Sequence, residues 1–176
     1  MGKSAVVYCS ASYTIDPKYN DEARKVVRCL CEHGIAIVSG GTVKGTMGVV
    51  ADEASKHTTG NIGVVPRFMA DVVYPDLTEL YWTESMSVRK EKMREEGKDY
   101  AIALPGGIGT FDEFFETYVL AKLNKYDGKV IAYNCYHYYD SLKVLLDSFV
   151  ESGMLDEHSR SLVEFPETVE ELEKLL

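Results

Sequence analysis

This sequence has few basic residues, no long apolar run and no recognisable targeting segment. Its 176 residues include 19 Lys and Arg against 28 Asp and Glu, which gives a formal net charge of −9. Because nucleic-acid polymers and anionic membranes are bound through clustered positive charge, we expect neither as a partner. No run reaches the ~20 apolar residues of a membrane-spanning helix, and the first residues lack the features of a signal peptide. We therefore expect a cytoplasmic protein.

Cysteine is also scarce, and its placement argues against disulfides and against a metal site. The chain has four cysteines, Cys9, Cys29, Cys31 and Cys135. Cys29 and Cys31 lie two apart within a helical pattern, so their side chains face different directions. The four histidines are scattered without the spacing of metal ligands. We expect reduced, semi-buried thiols and no metal ion.

Apolar, β-rich runs alternate with longer amphipathic stretches along the whole chain. The pattern predicts strands over residues 5–9, 35–39, 62–66, 77–82, 100–104, 130–134 and 161–165. It predicts helices over residues 17–33, 47–57, 85–96, 110–123, 138–152 and 168–176. Near-continuous apolar strands separated by helices are typical of a mostly parallel sheet covered on both faces, so we expect one doubly wound α/β domain over residues 1–176. Ligands of such sheets bind beyond the carboxyl ends of the strands.

Two glycine-rich loops follow predicted strands at that edge. The first glycine loop, residues 39–48, reads S-G-G-T-V-K-G-T-M-G, and the second glycine loop, residues 105–110, reads P-G-G-I-G-T. Glycine lets backbone N–H groups approach an anion, and the helix that follows adds a favourable dipole. Two such loops favour phosphate binding over a pair of tight turns, and Thr110 is placed to cap its helix or to donate to a phosphate. Neither loop has the Gly-Lys-Ser/Thr ending of a P-loop, which argues against ATP hydrolysis. The first strand is not followed by G-x-G-x-x-G, which argues against NAD-dependent chemistry.

Charged residues lie close to the second glycine loop and on an earlier helix. Asp112 and Glu113 fall in the first turn of the predicted helix 110–123, within reach of a ligand on the loop. Arg89 and Lys90 lie near the start of the predicted helix 85–96. Acids at a helix N-terminus often only complement the dipole, and neighbouring basic residues are often only solvated. Arginine is also the side chain that binds phosphate through two N–H groups at once, so both alternatives stay open on the residues alone.

Taken in order, these segments resemble a known family. Residues 105–113, P-G-G-I-G-T-F-D-E, are similar to the P-G-G-x-G-T-x-x-E signature of the LOG proteins. These are cytokinin riboside 5′-monophosphate phosphoribohydrolases, and many relatives carry the label lysine decarboxylase-like. Residues 39–51 resemble the family's S-G-G-G-x-x-G-x-M-G-x-x-A segment, and residues 86–93 its M-x-x-R-K-x-x-M segment.

The resemblance implies a Rossmann-like homodimer that needs no cofactor. It implies hydrolysis of the N-glycosidic bond of a nucleoside 5′-monophosphate, AMP or a modified AMP, to free base and ribose 5-phosphate. Arg89 and Glu113 correspond to the family's catalytic pair. The positions that we assign to substrate and phosphate binding are Gly40, Gly41, Gly45, Met86, Lys90, Gly106, Gly107, Gly109 and Thr110.

The chain departs from the family pattern at four positions. Thr42 replaces a third glycine, Ser87 a frequent His or Gln, Ile108 a frequent aromatic residue and Leu120 a Trp. These changes leave the catalytic pair intact but bear on which base is accepted. Specificity for cytokinin nucleotides is therefore no part of the prediction.

A carboxylate suits glycosidic cleavage because positive charge develops on the ribose as the bond to the base breaks. An ionised Glu113 would stabilise that charge and orient or deprotonate the attacking water, while Arg89 would fix the phosphate end. A pyridoxal-dependent lysine decarboxylase is not expected, because no lysine lies in a recognisable Schiff-base motif. The alternative is a non-catalytic nucleotide or molybdenum-cofactor-type carrier on the same scaffold, which would bind AMP without releasing base.

The predicted helix 110–123 is apolar around more than the single stripe that a surface helix needs. Its large apolar residues are Phe111, Phe114, Phe115, Tyr118, Val119 and Leu120. One face can cover the sheet, and a two-fold partner presenting the same helix is the simplest cover for the rest. We expect a homodimer through this helix. The tyrosines between residues 133 and 139 are expected to pack or to form an interface rather than to stack on a base.

Overall fold

Seven strands form one parallel sheet in the computed structural model, which describes residues 2–176. The strands are β1 (Ser4–Tyr8), β2 (Ala36–Ser39), β3 (Asn61–Pro66), β4 (Glu79–Thr83), β5 (Tyr100–Ala103), β6 (Lys129–Ala132) and β7 (Val163–Glu164). They are ordered β4-β3-β2-β1-β5-β6-β7, and each neighbouring pair is parallel. Met1, the first residue of the predicted domain, lies outside the described residues.

Helices cover both faces of this sheet. They are α1 (Pro17–Glu32), α2 (Gly45–Ala54), α3 (Met86–Glu96), α4 (Ile108–Lys122), α5 (Asp140–Glu151), α6 (Glu157–Ser161) and α7 (Val169–Glu173). Buried residues of α1, α2 and α7 join one apolar core, and those of α3, α4 and α5 join the other. The predicted doubly wound α/β architecture is therefore confirmed. None of the helices in the described part of the chain has the length and apolarity of a membrane span.

The sequence pattern placed several helix boundaries wrongly. Helix α4 begins at Ile108, with Gly107 as its N-cap and no side-chain capping bond. Thr110 is therefore not the cap, and Glu113 lies in the second turn instead of the first. The start was misjudged because a glycine N-cap leaves no capping side chain to mark it. The pattern also missed α6 and two short 3₁₀ helices, Arg67–Val72 and Cys135–His137.

The order of the strands reverses at β1. From β1 the chain crosses to β2 and runs outward to β4, then returns to pair β5 on the other side of β1. The loops after β1 and β5 therefore lead to helices on opposite faces, and ligands of doubly wound sheets bind beside such a reversal of strand order. The second glycine loop follows β5 directly, and the first follows the neighbouring β2.

A buried carboxylate fixes α2, which begins in the first glycine loop, against α1. The Glu53 side chain is only 2% exposed and accepts hydrogen bonds from Arg28 Nε at 3.1 Å and from Lys56 Nζ at 2.6 Å. Burial alone would raise the pKa of Glu53, but the two cations more than offset it and hold that pKa below its ordinary value of 4.5. The carboxylate thus stabilises the fold while it is ionised.

Replacing Glu53 by Gln should lower the free energy of unfolding by about 1–2 kcal/mol at neutral pH, because the half-exposed cations lose a charged acceptor. A carboxyl group with a lowered pKa contributes its stability above its unfolded value and loses it as the pH falls through the folded value. The difference between wild type and Glu53→Gln should therefore close in acid. Urea unfolding at several pH values measures it.

The control for that comparison is Glu151→Gln, which alters an exposed glutamate that has no ion pair within residues 2–176. We expect this variant to unfold like the wild type at every pH. An equal loss of stability in both variants would show that Glu53 has no special role.

Candidate active site

The second glycine loop ends in the N-terminus of α4, where backbone N–H groups have no partner within the helix. A Cβ atom added at Gly107 or Gly109 would meet nothing within 4 Å. Thr110 is only 3% exposed, and its Oγ1 atom is buried without a hydrogen-bond partner among residues 2–176. A Cβ at Gly106 would come within 2.1 Å of that oxygen. Free N–H donors, open space and an unsatisfied hydroxyl suit a phosphate group at this end of the helix.

The first glycine loop has another physical reason for its glycines. A Cβ at Gly40 would lie 2.2 Å from Nη2 of Arg89. Gly41 has a φ of +64°, and its Cβ would lie 2.8 Å from the backbone of β3. Gly45 has a φ of +51°, and its Cβ would lie 2.5 Å from a carbonyl oxygen of the loop after β1. Positive φ and close backbone contacts therefore require glycine at positions 41 and 45 whether or not a phosphate binds there, and Gly40 leaves room for the Arg89 guanidinium.

Arg89 and Glu113 form a buried ion pair between α3 and α4. Arg89 Nη1 donates to Glu113 Oε1 at 3.0 Å, and the two side chains are 6% and 11% exposed. Arg89 Nε donates to the carbonyl oxygen of Val64 in β3 at 3.0 Å. These two residues were predicted to belong to one site although they lie 24 positions apart in the sequence, and the fold brings them into direct contact.

Burial and charge act in opposite directions on Glu113. Burial raises the pKa of this carboxyl group above its ordinary value of 4.5, and the guanidinium of Arg89 partly offsets the increase. No donor within residues 2–176 hydrogen-bonds the second oxygen, Oε2. Thr117 Oγ1 donates to the Glu113 backbone carbonyl at 2.9 Å and shares a 2.8 Å hydrogen bond with the hydroxyl of Tyr8. The Glu113 carboxylate is therefore attached to a hydrogen-bonded turn of α4, and its Oε2 atom is available to accept a hydrogen bond or a proton.

Lys90 is engaged by acidic residues of α4. Its Nζ atom lies 2.9 Å from Asp112 Oδ2 and 2.5 Å from Glu116 Oε2, and Arg94 adds a 2.8 Å contact to Glu116. These pairs hold α3 against α4 alongside the Arg89–Glu113 pair. Met86, the other residue of this segment assigned to substrate binding, is the first residue of α3 and is 41% exposed.

Tyr138 and Tyr139, which the sequence led us to expect in packing or at an interface, hydrogen-bond to the second glycine loop and to the residue before it. Tyr138 donates its hydroxyl to the carbonyl oxygen of Gly106 at 2.7 Å, and Tyr139 donates to that of Leu104 at 2.7 Å. Both follow β6, the strand next to β5. That adjacency was the only available signal, and it depends on knowing the strand order.

One group of side chains in the described part of the chain has the geometry of metal ligands. Ligand atoms of His137, Asp140 and Glu167 all lie within 4.8 Å of one another. Spacing along the chain could not reveal the group, because Glu167 follows another strand. All three residues are exposed, and Lys143 Nζ lies 3.8 Å from Glu167 Oε1, where it competes for the same carboxylate. The four cysteines are buried and free of disulfides.

Comparison with known proteins places these features in a family. The family model described as "Possible lysine decarboxylase" matches residues 47–176. A cytokinin riboside 5′-monophosphate phosphoribohydrolase of Rhodococcoides fascians is 33% identical over 164 residues, which cover 92% of this chain and 82% of that protein. The Arabidopsis thaliana enzyme of that name designated LOG3 is 31% identical over 172 residues, covering 97% and 80%.

Solved structures agree on the fold. The molybdenum cofactor carrier protein of Chlamydomonas reinhardtii superposes with a TM-score of 0.74 over 99% of this chain and 95% of its own, at 17% identity. At 17% identity this structural similarity is evidence for the fold only. The match of the family model to most of the chain, together with relatives above 30% identity, goes further: this chain belongs to the LOG family, whose model carries the lysine decarboxylase description.

Proposed function

We propose that this protein, as one domain over residues 1–176, hydrolyses the N-glycosidic bond of a nucleoside 5′-monophosphate. The substrate is AMP or a modified AMP, and the products are free base and ribose 5-phosphate. The observation that carries the proposal is the buried Arg89–Glu113 pair, whose carboxylate lies on α4, the helix whose N-terminus suits a phosphate. Curated relatives named as phosphoribohydrolases support the same reaction.

The phosphate and the reacting carbon are held by one helix in this proposal. Thr110 and Glu113 are three residues apart on α4, so their side chains lie on the same face, one turn apart. A phosphate bound by the N–H groups of residues 107–110 and by the Thr110 hydroxyl directs the ribose along the helix toward Glu113. The 5′-phosphate supplies binding energy that positions C1′ against the carboxylate.

Glu113 acts on the bond between the ribose and the base. As that bond breaks, its electrons leave with the base and positive charge develops at C1′, which the ionised carboxylate stabilises. Water forms the new bond to C1′ and gives one proton to the free Oε2 atom, which then releases it to solvent. The base leaves as an anion and takes up one proton from solvent. A partly buried carboxylate is more effective here than an exposed one, since low dielectric strengthens its interaction with the developing charge.

Arg89 receives a different role from the one that the sequence suggested. We expected its guanidinium to hold the phosphate, but Nε donates to Val64 and Nη1 donates to Glu113. Nη2 lies close to Gly40. The proposal is therefore that Arg89 keeps Glu113 ionised and correctly oriented, while the second glycine loop binds the phosphate.

Two other activities receive less support. For pyridoxal chemistry, the lysine nearest the pair is Lys90; burial would lower its pKa, but Glu116 and Asp112 raise it, which opposes Schiff-base formation. A carrier function is not supported by the molybdenum cofactor carrier of similar structure, because at 17% identity that similarity is evidence for the fold only. A buried carboxylate with one free oxygen has a task in turnover, where positive charge develops on the ribose, whereas a carrier that only binds a nucleotide needs no such group.

The first prediction concerns Glu113. Glu113→Gln keeps the size of the side chain but removes the charge that meets the transition state, so kcat should fall by ~10²-fold or more while AMP binding is largely retained. Chromatography of released base measures kcat, and calorimetry measures binding. The control Asp112→Asn removes the adjacent carboxylate, whose side chain is 57% exposed, and should keep most of the activity.

Two results would contradict this assignment. Near wild-type turnover by Glu113→Gln would mean that the catalytic residue lies elsewhere. Tight binding of AMP by the wild type without release of base, across unmodified and modified nucleotides, would support a carrier in place of the enzyme.

The second prediction tests the role of Arg89 through pH. Because burial raises the pKa of Glu113, the acidic limb of kcat/KM should lie above pH 4.5, and activity should fall as the pH drops through it. Arg89→Met removes the cation that opposes this shift, so the limb should move upward by ~1 pH unit or more. Arg89→Lys retains a positive charge and should shift the acidic limb of the kcat/KM profile by less. An unchanged limb with a raised KM for AMP would instead favour a phosphate-binding arginine.

We also propose that the protein is a homodimer through α4. Ile108, Val119 and Leu123 on this helix are 90%, 51% and 58% exposed, which is unusual for large apolar side chains on one helix. A groove of about 570 Å³ beside them is lined mainly by apolar side chains, including Phe111 and Phe115. A second copy of α4 is the self-complementary cover that two-fold symmetry provides.

Light scattering at micromolar concentration should therefore give twice the mass of one chain. Val119→Glu places a charge in the proposed interface and should yield monomers. Val144→Glu makes the same change on α5, where the residue is 69% exposed, and should leave the mass unchanged. A wild-type protein that is already monomeric would refute the dimer.

A further inference from the structure

Two consecutive tyrosines hold the turn that opens the second glycine loop. The hydroxyl of Tyr139 donates to the carbonyl oxygen of Leu104, and that of Tyr138 donates to the carbonyl oxygen of Gly106, each at 2.7 Å. The two accepting carbonyls flank Pro105. The turn between β5 and α4 is thus hydrogen-bonded from outside on both sides of its proline.

The two tyrosines are themselves held in place. Tyr139 is 2% exposed, and its backbone N–H donates to Oδ1 of the fully buried Asn134 at 2.6 Å. Tyr138 is 37% exposed, but its ring packs edge-on against Tyr139, with 5.0 Å between ring centroids, and against Tyr19 of α1 at 5.5 Å. Tyr138 therefore reaches Gly106 from a fixed position.

The hydrogen bond to Gly106 determines where the next N–H group points. In a trans peptide the carbonyl of Gly106 and the N–H of Gly107 lie in one plane and point in opposite directions. Gly107 is the N-cap of α4, and nothing lies within 4 Å of where its Cβ would be. Phe111 N–H holds the next carbonyl, that of Gly107, at 3.1 Å, and the hydrogen bond from Tyr138 is the one that holds the carbonyl of the Gly106–Gly107 peptide. Because glycine leaves the backbone at Gly107 conformationally free, this hydrogen bond restricts the orientation of the peptide plane.

We propose that Tyr138 is a positioning residue for phosphate binding: its hydroxyl orients the Gly106–Gly107 peptide so that the α4 N-terminus is preorganised for the 5′-phosphate of the substrate. The inference rests on the proposed function, because it assigns the phosphate to this loop. Tyr138 acts through the backbone and touches neither the ribose nor the base. Preorganised donors bind an anion more tightly because less order is lost on binding.

The test compares Tyr138→Phe with a matched control. Tyr126 also donates a hydroxyl to a glycine carbonyl at 2.7 Å, but that glycine is Gly97, which precedes β5 at the opposite end of the sheet. Tyr126→Phe therefore removes the same kind of hydrogen bond far from the loop. Thermal unfolding of both variants shows that each is folded.

Tyr138→Phe should raise the KM for AMP and the Kd for ribose 5-phosphate by ~3–10-fold, the change that the loss of one hydrogen bond produces. Its kcat should stay within about twofold of wild type, since the reacting groups are unaltered. Tyr126→Phe should change neither constant. Steady-state kinetics with AMP gives KM and kcat, and calorimetry with ribose 5-phosphate gives Kd independently.

Each other outcome has a distinct meaning. Equal constants in Tyr138→Phe and the wild type, or equal losses in both tyrosine variants, would overturn the positioning role. A large fall in kcat at unchanged KM would also overturn it, because the hydroxyl would then act on the reacting atoms. If the wild type binds ribose 5-phosphate but releases no base, the proposed reaction fails while the weaker binding by Tyr138→Phe still supports the positioning role. If the wild type binds neither AMP nor ribose 5-phosphate, both proposals fail.

Discussion

The buried pairing of Arg89 with Glu113 is the interaction on which the rest of this site depends. A carboxylate that is 89% shielded from water loses much of its hydration, and only a cation in direct contact compensates for that loss. The guanidinium can take this position because Gly40 has no side chain and the Val64 carbonyl accepts its remaining Nε proton. Strand β3, the first glycine loop and helices α3 and α4 therefore meet around one ion pair.

The site divides its tasks between backbone and side chains. Backbone N–H groups at the start of α4 suit an anion, and a side chain one turn later carries the negative charge that the proposed chemistry needs. These opposite electrostatic demands are met on one helix because the dipole favours anions only within its first turn. The ion pairs from Lys90 and Arg94 to α4 keep that helix in register with α3.

The fold followed from the sequence because apolar strand and helix periods alternate along the whole chain. The two glycine loops at one sheet edge indicated where the candidate site lies, and its assignment stays a prediction. Local pattern could not show that Gly40 accommodates Arg89, since the contact joins segments 49 residues apart through tertiary packing. Nor could it show that Tyr138 contacts Gly106, which requires β6 to lie beside β5. The start of α4 was missed because its N-cap, Gly107, gives no capping side chain.

The close approach of Gly40 to Arg89 also restricts the order in which this chain can accumulate mutations. An alanine at position 40 would bring its methyl carbon to 2.2 Å from Nη2 of Arg89 and to 2.6 Å from Sδ of Met47, so both side chains would have to move. Shortening Arg89 first leaves the Glu113 carboxylate buried without its cation, a state that costs stability. Each single step is therefore unfavourable, and a side chain at position 40 requires room to be made at both Arg89 and Met47.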